Sequence, residues 1–97
     1  MPEHLSLTGK RIMPRSDVLI RELHGESVLL DLRTESYFGL DEVGTRMWEA
    51  LTAQADFEAA CSQLLEAYDV EPGRLREDLV QFVEELARAG LVDVGDV

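Results

Sequence analysis

Ninety-seven residues suffice for one domain with a single modest core. At 45% hydrophobic and 30% charged, the composition is that of a folded globular protein, and no apolar run is long enough to span a bilayer. Twenty acidic residues against nine basic ones give a net charge of −11, a field that repels phosphate backbones and anionic headgroups and so argues against nucleic acid and membrane as partners.

The first 16 residues are polar and show little period, which predicts a flexible arm with a short strand near Arg11 to Met13. They lack the apolar stretch and cleavage site of a signal peptide, so a cytoplasmic location is expected. From residue 17 to 97 the chain reads as one domain. Val18 to Leu23 alternates as a strand, and His24-Gly25-Glu26 supplies a turn in which Gly25 is free to take positive φ. In the next strand Val28, Leu30 and Leu32 share one face while Leu29 and Asp31 share the other. Arg33-Thr34-Glu35 then turn the chain into a third strand, Ser36 to Gly39. These lengths predict an antiparallel three-stranded meander.

At Asp41 the period becomes that of a helix. Leu40, Val43, Gly44, Met47, Trp48 and Leu51 fall on one face behind Asp41 as N-cap. Asp56 caps a second helix whose stripe is Phe57, Ala60, Cys61, Leu64, Leu65 and Tyr68. Pro72 opens a third, striped by Leu75, Leu79, Phe82, Val83 and Leu86, and Gly90 stands where a helix ends. Leu91 to Val94 adds a short final strand. The fold class expected is α+β, in the outline of a winged helix-turn-helix.

Chemistry is sparse. His4 and His24 lie in the arm and a turn, with no Cys/His cluster beside them, and the single cysteine, Cys61, sits on an apolar stripe without a base in its segment. Gly39 and Gly44 are not followed by the Lys-Ser/Thr of a phosphate loop. Glu84-Glu85 reads as a solvated face. Neither a catalytic site nor a metal or cofactor is expected. A winged-helix DNA reader remains a rival, but residues 56 to 90 carry nine acidic residues against three arginines, the wrong sign for phosphate contacts. A peptide-binding role fits better. If the third strand lies at a sheet edge, its unpaired backbone groups take up an extended peptide by strand addition, and the third helix, widened by Val80 and Val83, walls the groove.

The succession VLLDL, YFGLDEVGTRMWEAL, LLEAYDVEPGRL and EDLVQFVEELARAGLV resembles the PqqD-like proteins, also called RiPP recognition elements, over about Val18 to Val94. The ordered set that carries it is Tyr37, Leu40, Gly44, Trp48, Tyr68-Asp69-Val70, Asp78-Leu79, Phe82, Leu86 and Gly90-Leu91. Tyr37 to Asp41 with Gly44 and Trp48 is most similar to the stand-alone members of lasso-peptide clusters, although Asp41 stands where Asn is frequent. The resemblance implies a non-enzymatic adaptor that binds the leader of a ribosomally made precursor peptide and delivers it to a leader peptidase, or alternatively to another modifying enzyme such as a radical-SAM protein. It also implies leader contacts at Glu35, Ser36, Tyr37, Phe38, Gly39 and Leu40 on the strand, and at positions drawn from Leu75, Arg76, Asp78, Leu79, Phe82 and Val83 on the helix, with Asp78 as a polar anchor.

Overall fold

The computed structural model describes residues 7–54 and 56–96. In chain order they form β1 (Lys10–Pro14), β2 (Val18–Leu23), β3 (Glu26–Asp31), β4 (Ser36–Leu40), α1 (Glu42–Ala53), α2 (Phe57–Ala67), α3 (Pro72–Arg88) and β5 (Val92–Asp96). The α+β class and the order of strands and helices are as the sequence predicts. β2, β3 and β4 make the antiparallel meander in that spatial order. Its first hairpin is tight because both turn residues take positive φ, His24 at 56° and Gly25 at 84°, the backbone that matches the twist of the flanking strands.

The predicted arm over residues 1–16 is corrected from Leu7 onward; residues 1–6 lie outside the described residues. Leu7 and Ile12 are buried in the core. β1 is longer than the three-residue strand expected and pairs along its length with β5, from Lys10↔Asp96 to Pro14↔Val92. The reason is long-range: β5 offers a free backbone edge, Ile12 fills the core beneath, and the Lys10 ammonium reaches the Asp96 carboxylate, which holds that carboxyl below its ordinary range.

The helices start and stop where their caps dictate. Asp41 and Asp56 each accept from the backbone N–H three residues on, at 2.8 and 2.9 Å. α3 ends in a Schellman turn. Gly90, at φ 78°, lets its own N–H bond Ala87 O while Leu91 N–H bonds Leu86 O, and Leu86 and Leu91 are both buried there.

The inner face of the meander is formed by Ser27, Leu29 and Asp31, all buried, and not by the more apolar row of Val28 and Leu30. Two polar residues can face inward because both are satisfied. Ser27 Oγ bonds Thr45 Oγ1 at 2.7 Å, pinning β3 to α1. Asp31 accepts from the Arg33 backbone N–H and guanidinium. Burial pushes the Asp31 carboxyl up, but the bonds from Arg33 and Thr34 outweigh it and hold it below the usual carboxylate range. Arg33 also donates to Gly90 O, tying the β3–β4 turn to the end of α3. No helix among the described residues is long and apolar enough to cross a membrane.

Candidate functional site

β4 is an edge strand: one side pairs with β3 from Ser27↔Leu40 to Asp31↔Ser36, and among the described residues the other side has no strand partner. Side chains alternate across it. Phe38 and Leu40 point inward with Leu29 and Ser27, whereas Tyr37 lies opposite Leu30 on the outer face and is 76% exposed. Asp41 follows at once as N-cap, so α1 rises from the end of the free edge. α3 stands across from both, because its apolar stripe is buried against the same core.

Between these three elements lies a cleft of two adjoining cavities. The larger, about 550 Å³, is lined by Phe38, Gly39, Leu40 and Asp41 at the strand edge, Val43, Gly44 and Met47 on α1, and Asp78, Gln81, Phe82 and Glu85 on α3. The second, about 410 Å³, shares Val43, Met47 and Asp78 and continues past Leu64, Tyr68, Val70, Glu71, Arg74 and Leu75. The floor is apolar, supplied by Phe38, Leu40, Met47, Phe82 and Leu75. The rim nearest β4 is acidic, through Asp41, Asp78 and Glu85.

The cleft therefore collects some of the residues singled out from the sequence and leaves others out. Phe38, Gly39, Leu40, Leu75, Asp78 and Phe82 line it. Glu35 (φ 58°) is an exposed turn residue before the strand, and Ser36 Oγ is hydrogen-bonded to Thr34. Leu79 and Val83, two of the helix positions drawn on, do not line the cleft. Both are fully buried because they sit on the core side of α3 and support it from below.

Arg76 does not line the cleft either. It points away from the cleft, donating twice to Glu58, at 2.6 and 2.7 Å, and once to Thr8 at 3.1 Å, with its guanidinium 5.2 Å from the centroid of the Phe57 ring. The Arg76 hydrogen bond is the main cause holding the Glu58 carboxyl below its ordinary range, against partial burial. Glu85, read as part of a solvated face, is exposed and also forms part of the rim. The α1 wall of Val43 and Met47 and the second cavity were missed. The available signal was Val43, an apolar residue on the predicted helix stripe that remains 48% exposed.

Cys61 is buried at the α2 core. Burial first, and the nearby Glu58 charge second, push its thiol up, which makes it a poor nucleophile. An open strand edge over an apolar floor with a charged rim is equipped to hold an extended chain.

The family model described as coenzyme PQQ synthesis protein D (PqqD) matches residues 26–92. The solved structure of TbiB1 in complex with the TbiA(beta) leader peptide is similar at a TM-score of 0.79 and 32% identity, over 84% of this chain and 94% of that one. Lasso peptide synthetase B1 complexed with the leader peptide shares the fold at a TM-score of 0.77 and 20% identity, over 86% of this chain and 98% of that one. No curated protein sequence matches the chain.

Proposed function

The chain belongs to the PqqD family, and on that premise we propose that it binds the leader segment of a ribosomally synthesised precursor peptide along the free edge of β4. The observation that carries this reading is that the unpaired strand edge and the apolar cleft adjoin, so backbone pairing and side-chain seating are available to one ligand. The leader adds as an antiparallel strand. Its inward side chains enter between β4, α1 and α3, and its register is set by the backbone of Ser36 to Leu40. The 32% identity to TbiB1, a protein solved with a leader peptide, supports the reading.

In this proposal the protein is an adaptor that performs no chemistry and works in the cytoplasm. It delivers the bound precursor to the leader peptidase of lasso-peptide biosynthesis. The match to a model named for coenzyme PQQ synthesis favours a second reading, in which the receiving enzyme is a radical-SAM protein. The test is titration of the purified protein with the leader half of a precursor encoded beside its gene, with duplex DNA as control. Micromolar or tighter binding of the peptide, and none of DNA, is expected. Salt-sensitive DNA binding without peptide binding would overturn the proposal.

A further inference from the structure

We propose that the cleft selects leaders carrying a lysine or arginine two residues from the apolar side chain that seats on Phe82, and that Asp78 and Glu85 are the residues that read it. This rests on the leader-binding reading and adds to it the class of peptide bound.

The part of the cleft bordered by β4 is lined by three carboxylates and by no lysine, arginine or histidine. Asp41 is already engaged, capping α1 through the Gly44 N–H at 2.8 Å. Asp78 and Glu85 are exposed, and among the described residues neither has an ion-pair partner. The cations on the same helix do not neutralise them. Arg76 is held by Glu58 on another face, Arg74 lies at the far end of the cleft beside Glu71, and Arg88, at the C-terminal end of α3, does not line the cleft. The negative rim is thus concentrated where an added strand would run.

Spacing turns that charge into a pattern. Asp78, Phe82 and Glu85 stand at i, i+4 and i+7 on α3, one face of the helix. The backbone positions of Asp78 and Glu85 are offset from that of Phe82 along the axis by about 6 Å and about 4.5 Å, from a rise of about 1.5 Å per residue. Side chains on one side of a strand recur every ~6.7 Å. A strand laid along this face with an apolar side chain on Phe82 therefore brings its same-side neighbours, two residues away, opposite a carboxylate. A lysine or arginine stem packs along the apolar floor and carries its cation to the rim, while an acidic residue there meets like charge. The net charge of −11 draws a basic leader in the same direction.

The probe is the synthetic TbiA(beta) leader peptide, with each residue replaced in turn by lysine, norleucine or glutamate. Affinities are read by fluorescence anisotropy at low and high salt, against the native protein and an Asp78→Asn/Glu85→Gln double variant whose fold is checked by circular dichroism. The expected result is one position, or two positions four apart, where lysine binds roughly five- to tenfold tighter than glutamate with norleucine between. That preference shrinks in salt and disappears in the double variant. A flat scan with a tightly bound parent peptide overturns this inference alone, as does a preference that survives in the double variant. Failure of every peptide, together with the protein's own precursor leader, overturns the leader-binding reading with it.

Discussion

Replacing Phe82 with aspartate should weaken leader binding by roughly thirty- to several-hundred-fold while leaving the domain folded. The ring is half-buried, packed against the core on one side and lining the cleft on the other. Of the roughly 150–250 Å² that an aromatic side chain buries in full, about 50 Å² is left for a ligand to cover, worth about 1 kcal/mol. Aspartate adds a second cost, because a carboxylate covered by the peptide between Asp78 and Glu85 finds no donor, at about 1–3 kcal/mol. The sum of about 2–4 kcal/mol sets the range. Isothermal titration with the leader, alongside a thermal melt of each variant, checks it. Phe82→Leu keeps an apolar floor and should stay within about fivefold of the native affinity. A folded Phe82→Asp variant that binds within threefold of native would refute the placement of the groove.

Three further outcomes are expected. Arg76→Gln should lower stability by about 0.5 kcal/mol, since the Glu58 pair is nearly half exposed, and should leave leader affinity unchanged; a large affinity loss in the titration would return Arg76 to the groove. Ser27→Ala or Thr45→Val should each cost about 1–3 kcal/mol by stranding the other buried hydroxyl, and the double variant should cost less than the sum, as a double-mutant cycle in urea would report. Acid should destabilise the protein. Asp31, Glu58 and Asp96 all have lowered folded-state pKa values, so their contribution is complete above their ordinary values of 3.8 to 4.5 and is lost as pH falls through the folded ones. Melts between pH 6 and 2.5 should show that loss, with a shallower slope in Arg76→Gln.

The meander and the three helices were legible because their signals are local. Alternation marks β2 to β4, and Asp41, Asp56, Pro72 and Gly90 punctuate the helices within a residue or two of where they begin or end. β1 was largely hidden because its partner lies some eighty residues downstream and its own pattern is polar. The free edge of β4 could be proposed from strand order alone. The helical side of the cleft could be proposed only in part. Apolar periodicity on α3 groups Phe82 with Leu79 and Val83, which are core, and does not mark Glu85, which lines the cleft beside Asp78 and Phe82. Arg76 looked available because Glu58, which holds it, belongs to a different helix. Pairing across elements is a tertiary property, and no local period encodes it.

The central claim is that a leader adds to the β4 edge, and amide hydrogen exchange with and without bound leader tests it most directly. The account predicts that protection rises over Ser36 to Leu40 and along the Asp78 to Glu85 stretch of α3, with the opposite edge strand, Val18 to Leu23, unchanged. Saturating leader that leaves Ser36 to Leu40 unprotected, or that protects Val18 to Leu23 instead, would contradict it.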